Sequence, residues 1–424
     1  MASSDQFQPP PTTRRRDFCE ILHGVEVPDP YRWLENGTAP ETRAFIAAQQ
    51  KYARPFFDIP ERERIHSRLA QLMRTDAMGL PIERQGYYFY SRRRADEQQS
   101  SICRRLGLDG AEEVLEDGNA LSADRMTSVE IVGISRDGSI LAYGRRCGGE
   151  YEFSIHLIDV ASRRDLPDEL PRARYGDSSW KHDGSGFYYT VTTDQGPRVR
   201  FHRVDTSIYE DREILGSNWG PERWAYASVS DDGRYLLIGC GYRTASTSSG
   251  DRNDLYFQQL DPEGEITPIA DDLDAASFGS DAGDAFIMMT NWRAPKRRVF
   301  RVEFARPTRD NWREIIPEGS STIQSVATVG GKVVVTDMED AKTRVRIFEP
   351  DGAFVREVEL PGPGTVTGLT GRWQRSESFF HFSSTNHAPT IYPYSSLEEI
   401  LAGGKKRPLP GPGDKPVTER PTKK

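Results

Sequence analysis

Three features of the sequence predict an all-β fold, a seven-bladed β-propeller preceded by a short N-terminal helical segment. Short aromatic or aliphatic runs recur, Asp-Gly turns separate them, and those turns return at a near-constant interval. The runs are Tyr87-Tyr88-Phe89-Tyr90, Ile140-Leu141-Ala142-Tyr143, Phe187-Tyr188-Tyr189, Tyr235-Leu236-Leu237-Ile238, Phe286-Ile287-Met288 and Val333-Val334-Val335. Their β-branched and aromatic side chains suit a pleated, half-buried surface. The turns are Ser135-Arg136-Asp137-Gly138, His182-Asp183-Gly184, Ser230-Asp231-Asp232-Gly233 and Ser280-Asp281-Ala282-Gly283. Asp137, Asp183 and Asp232 follow one another at 46 and 49 residues. A second turn family (Leu108-Asp109-Gly110, Asp261-Pro262-Glu263-Gly264, Asp351-Gly352) supplies the further hairpin that a four-stranded blade needs. Divided seven ways, residues 76–400 give units of about 46 residues. The turn aspartates read as structural rather than metal-ligating: glycine supplies the positive φ of a tight turn, and aspartate bonds its own backbone.

The remaining segments follow in chain order. Residues 1–16, rich in Pro and Arg, are expected to be disordered. Residues 17–75 form the helical segment. Thr38 is placed to cap, Pro40 sits in the first turn, and Phe45, Ala48 and Tyr52 recur at helical spacing until Pro55 interrupts. A second helix, Glu61 to Met73, carries Ile65, Leu69 and Leu72 on one face. Residues 401–424 read as a disordered, basic, Pro/Gly-rich tail.

Composition excludes several classes. The 424 residues hold 56 Lys/Arg against 64 Asp/Glu, a net charge of -8, which disfavours a nucleic-acid partner. The Arg92-Arg93-Arg94, Arg104-Arg105 and Arg163-Arg164 clusters read as solvated strand ends. No window is apolar enough for a membrane span, and the N-terminus has no signal-peptide core, so a cytoplasmic location is expected. Cys19, Cys103, Cys147 and Cys240 lack CxxC spacing and read as reduced thiols; neither a metal nor a cofactor is expected. Gly330-Gly331-Lys332-Val333 lacks the spacing of a phosphate loop.

Several motifs in a fixed order resemble the prolyl oligopeptidase family. They begin with Asp29-Pro30-Tyr31-Arg32-Trp33-Leu34-Glu35 and the Phe45–Tyr52 helix. Gly133 to Gly144, Asp165 to Leu170, Trp180 to Tyr189 and Ser230 to Leu236 follow. Thr290-Asn291 with Ala294-Pro295, Asn311-Trp312 with Ile316-Pro317-Glu318, and Pro389-Thr390-Ile391-Tyr392 complete the series over about residues 15–400. The resemblance implies an N-terminal segment and seven-bladed propeller joined to a C-terminal α/β-hydrolase domain that holds a Ser-Asp-His triad. It also implies that the propeller filters substrates, admitting short peptides, and that cleavage follows proline.

The chain departs from that pattern after Tyr392. Only 32 residues follow, whereas a hydrolase domain needs on the order of one to two hundred or more. No nucleophile elbow is expected either. At Gly216-Ser217-Asn218 the two glycine positions hold Leu215 and Trp219, and at Gly184-Ser185-Gly186 Asp183 stands where the first glycine belongs. His156 and His182 read as structural. No catalytic residue is therefore assigned. Resemblance implies Tyr175, five positions before Trp180, as a substrate-lining candidate; the alternative is a blade-end surface aromatic. It implies Trp33, Phe45, Tyr52, Phe56 and Phe57 as a hydrolase-facing patch. The expected function is the substrate-gating portion of a serine peptidase, inert alone because the hydrolase domain is missing. The alternatives are a stand-alone propeller that binds peptides or a protein, and half of a split peptidase completed by a separate hydrolase chain.

Overall fold

The computed structural model of the chain describes residues 9–242, 252–271 and 273–395. The expected basic tail, residues 401–424, lies outside the described residues, as do residues 1–8. The chain divides into two compact units, Met1–Thr75 and Asp76–Lys424.

The first unit opens with a hairpin, Cys19–Leu22 against Val25–Pro28. His23 and Gly24 join the strands at φ 53° and 81°, a two-residue turn whose backbone favours glycine at its second position. Helix α1 spans Pro40–Phe57 and helix α2 spans Pro60–Met73, each with proline in its first turn, where a missing N–H costs nothing. Asn36, not Thr38, organises the entry to α1. Its Oδ1 accepts the Thr38 and Ala39 N–H groups, both at 3.2 Å. Pro55 does not stop α1, which runs on to Phe57. It sits in the last turn, and the Asp58 N–H still reaches the Arg54 carbonyl at 3.1 Å, so the ladder closes around it.

The second unit is an all-β propeller. Seven equal blades are not what the sheets show. Among the described residues five sheets carry four or more strands, and a sixth, Thr365–Thr367 with Glu377–Ser384 and His387–Ser395, has three. Equal division by the turn interval fails because of one strand. Arg164–Trp180 is 17 residues long and pairs on both sides: its first half with Phe153–Asp159, its second half with Gly186–Thr193. One continuous seven-stranded sheet, running from Thr127–Ile134 to Arg212–Leu215, results.

Successive sheets bury their facing sides against each other. Leu237, Leu255 and Phe257 pack on Phe286, Met288 and Phe300; Ile287, Met289 and Val299 pack on Ile323, Val333 and Val335. Within the seven-stranded sheet, Ile155 and Leu157 from one half meet Phe187 and Tyr189 from the other. The ring closes where Tyr88 of the first sheet meets Phe379 and Ile391 of the last. Its hydroxyl donates to Glu377 Oε1 at 2.8 Å. No strand of the first sheet pairs with a strand of the last among the described residues, so side chains rather than a shared ladder hold this seam.

The turn aspartates bond their own turns. Asp137 Oδ1 and Asp183 Oδ1 each accept the N–H two residues on at 3.0 Å, beside Gly138 and Gly184 at φ 74° and 72°. Burial works against ionisation of Asp183, but the Ser185 hydroxyl and N–H and the Lys181 ammonium outweigh it and bring its carboxyl down to about 2. The Arg clusters are not uniformly solvated. Arg92 is 3% exposed and pairs with Glu97 and Glu112, both at 3.3 Å, and Arg105 is buried with its guanidinium 5.1 Å from the Tyr90 ring centre. All four cysteines are free thiols, Cys103 and Cys240 buried, Cys19 and Cys147 exposed.

Candidate functional site

Tyr175 lies in the second half of the long strand, beside the register shift between Tyr175 and Ser178. It is half-buried: its ring packs on Phe153 and Tyr189 at centroid distances of 5.4 and 5.8 Å, and its hydroxyl donates to the Pro171 carbonyl at 2.5 Å. Burial pushes the phenol up, so it stays neutral. Two edge-on ring contacts and one main-chain bond set the ring's position.

In the N-terminal unit the five candidate aromatics fall into separate groups. Trp33 stands edge-on to Phe45 at 5.7 Å, and its indole N–H donates to the Arg14 carbonyl at 2.9 Å. Tyr52 and Phe56 meet as tilted rings, 5.3 Å between centroids, along a groove shared with Pro9, Pro11 and Ala48. Phe57, 63% exposed, lines a different groove with Ala53 and Arg62. The larger apolar face lies on α2, which has no buried side chain: Ile65, Leu69, Leu72 and Met73 are each more than half exposed. The helical spacing of Ile65, Leu69 and Leu72 signalled this face, but spacing alone does not say whether a face is covered.

The described residues hold parts of a hydrolytic triad in separate places. His202 is buried between two carboxylates, its Nδ1 2.8 Å from Asp211 Oδ1 and its Nε2 3.1 Å from Asp168 Oδ1. Burial opposes its protonation, but Asp211 and Asp168 outweigh that and hold its pKa above the usual 6.5. Both ring nitrogens are thus committed to acids, and among the described residues no serine is hydrogen-bonded to the ring. The sequence singles out the Asp165–Leu170 motif but not His202, whose pairing with Asp168, 34 residues away, is made only by the fold. Conversely, Ser154 Oγ lies 2.7 Å from His156 Nε2, but among the described residues no acid is hydrogen-bonded to that imidazole. Burial lowers the His156 pKa. Ser217 is exposed in a turn that Trp219, buried in the core, closes through its N–H to the Gly216 carbonyl at 2.9 Å. The Ser185 hydroxyl donates to Asp183 at 2.6 Å.

A polar cavity of about 190 Å³ lies where the turns of successive sheets converge. Arg84, Arg136, Arg372, His182, Asp231 and Asp281 line it, with Trp180. Asp231 links distant parts of the ring: Arg136 Nη2 donates to its Oδ1 at 3.0 Å, and the Gln374 N–H donates to its Oδ2 at 2.9 Å. Asp281 Oδ2 accepts the Asp231 N–H at 3.0 Å, and burial raises the Asp281 carboxyl to about 6.

This closed ring of sheets, with an N-terminal hairpin and two helices as a separate unit, defines the propeller class. Residues 10–402 match the family described as prolyl oligopeptidase, N-terminal beta-propeller domain. The chain belongs to that family. It is 28% identical over 399 residues to a prolyl endopeptidase of Elizabethkingia meningoseptica, covering 91% of this chain and 55% of that protein. It is 26% identical over 450 residues to prolyl oligopeptidase A of Galerina marginata, covering 92% of this chain and 58% of that protein. Among solved structures, one from a study of two prolyl endopeptidases and their inter-domain dynamics superposes with a TM-score of 0.83 at 31% identity, covering 94% of this chain and 59% of that chain. The chain thus spans a little over half the length of the relatives it matches. Among the described residues no helix is long and apolar enough to cross a membrane.

Proposed function

We propose that this chain is the substrate-gating propeller portion of a prolyl oligopeptidase-like serine peptidase, inert in peptide hydrolysis by itself. One observation carries the reading. Among the described residues, the histidine that is held by acids (His202) has no serine, and the histidine that touches a serine (His156) has no hydrogen-bonded acid. Amide cleavage then belongs to a hydrolase domain outside these residues. The named relatives are prolyl endopeptidases and oligopeptidases, which supports short proline-containing peptides as the substrate class.

The apolar face of the N-terminal unit supports a docking role toward that hydrolase domain. A fully buried large apolar side chain contributes about 1.5–3 kcal/mol, and Phe57, Ile65, Leu69, Leu72 and Met73 leave most of that unrealised. Tyr175 and the Trp33, Phe45, Tyr52, Phe56 and Phe57 set remain the proposed contacts to substrate and hydrolase, respectively. A location in the cytoplasm fits this reading.

The test is hydrolysis of a fluorogenic proline-containing peptide by the purified chain, alone and mixed with a separately expressed hydrolase domain from a relative. The chain alone is expected to show no turnover and no labelling by a fluorophosphonate. Turnover by the chain alone, or stoichiometric labelling of one of its serines, overturns the proposal.

A further inference from the structure

The cavity at the convergence of the turns has more positive charge than its acids compensate. Arg84 reaches it from Ile82–Arg84, Arg136 from the turn after Thr127–Ile134, and Arg372 from the loop before Glu377–Ser384. Only Arg136 is neutralised there, by Asp231 at 3.0 Å. Arg84 donates to main-chain carbonyls, to Glu83 at 2.8 Å and to Ile134 at 3.4 Å, and Arg372 also donates to the Glu83 carbonyl. Among the described residues neither forms an ion pair.

The neighbouring acids are already committed. Glu83 Oε2 takes Arg375 at 2.6 Å and its Oε1 takes the Gly86 N–H at 2.7 Å. Asp231 spends one oxygen on Arg136 and the other on the Gln374 N–H, and Asp281 Oδ2 takes the Asp231 N–H. Trp180, 6% exposed, lines the same cavity with an indole N–H that has no acceptor among the described residues.

Guanidiniums facing each other in a partly buried cavity are costly unless a counter-charge sits among them. The effect is visible in their ionisation. Burial, then the neighbouring Arg372 and Arg136, lowers Arg84 to about 9; burial and Arg136 lower Arg372 as well. A space of about 190 Å³ holds several waters or one compact oxyanion. Guanidinium is the side chain whose planar fork matches a carboxylate or phosphate with two parallel bonds.

We propose that this cavity is an oxyanion site in which Arg84 and Arg372, flanked by Arg136, bind a carboxylate or phosphate group. The anion comes either from solution as a free ion or from the C-terminus of a peptide that has entered the ring. The inference goes beyond the peptidase reading and does not depend on it, because binding is measured without turnover. If the chain alone cleaved peptides, the functional reading would fall and this one would stand.

The experiment is calorimetric titration of the full chain with inorganic phosphate, with acetyl-alanyl-proline as the free acid, and with the same dipeptide as its amide. Saturable binding of phosphate alone identifies a free ion as the source, of the free acid alone a peptide terminus, and of both a shared site; the amide is expected not to bind. The Arg84→Gln/Arg372→Gln double variant is expected to lose at least about tenfold in affinity, Arg84→Lys less, and Arg212→Gln on the outer surface nothing. A second readout covers a double variant that folds poorly. Whichever oxyanion binds should raise the melting temperature of the unaltered chain above that in chloride of equal ionic strength. Absence of saturable binding by both oxyanions, affinity for the bound oxyanion unchanged in a folded double variant, or a melting temperature that neither oxyanion raises above chloride overturns the proposal.

Discussion

The strand Ala285–Thr290 and the helix α2 put their apolar residues to opposite uses. Every residue of the strand is buried: Phe286 and Met288 pack with Leu237 and Phe257 of the preceding sheet, Ile287 and Met289 with Val333 and Val335 of the next. No residue of the helix is buried, although its apolar positions are as regular. A blade is flanked by sheets on both faces and needs nothing beyond the ring, since stacked units share their core with their neighbours. A lone amphipathic helix gains most of its stability from whatever covers its apolar face. The propeller is therefore self-sufficient, whereas the N-terminal helices keep an apolar surface on offer.

Core truncation should expose that contrast most strongly. Phe187 is completely buried against Trp180, Tyr189 and His202, so Phe187→Ala is expected to cost about 4 kcal/mol in chemical denaturation. His202→Ala should follow at about 3 kcal/mol, because it strands the buried Asp168 and Asp211 carboxylates.

The same residue sets a pH dependence of definite sign. His202 has a folded pKa above the 6.5 of the unfolded chain, so its contribution is complete below about 6.5 and is lost as pH rises through the raised value. Denaturation at about pH 6 and about pH 9 should show the wild type losing more stability across that interval than His202→Gln. An equal loss in both would remove His202 as the cause.

Smaller effects sharpen the comparison. Asp183→Ala removes the acceptor for the Ser185 N–H and hydroxyl in an exposed turn and should cost about 1 kcal/mol. Leu69→Ala on α2, already 52% exposed, should change stability by no more than about 0.5 kcal/mol. If Leu69→Ala proved as damaging as Phe187→Ala, the helix face would be covered in solution and the contrast drawn here would fail.

Legibility followed the range of the interaction. The Asp-Gly turns could be read because each aspartate bonds a group two residues away, and the α2 stripe because its period is local. Tyr175 is singled out only through the family resemblance, as the position five before Trp180, and its wedging between Phe153 and Tyr189 could not be read at all. The blade count failed at Arg164–Trp180, whose two halves pair with strands on either side, a choice made by hydrogen-bond register and invisible in turn spacing.

The order of motifs along the chain by itself determined the family and the propeller class, because each turn and strand is encoded within a few residues. Which groups face one another was decided only by closing the ring. Arg84, Arg136 and Arg372 come from three distant stretches, as do Asp231 and Gln374, and meet at one cavity because the sheets curve around to it. His202 likewise finds Asp168 only across the sheet. A side chain's charge is written at its own position, but the field it stands in is set by neighbours that only packing brings near.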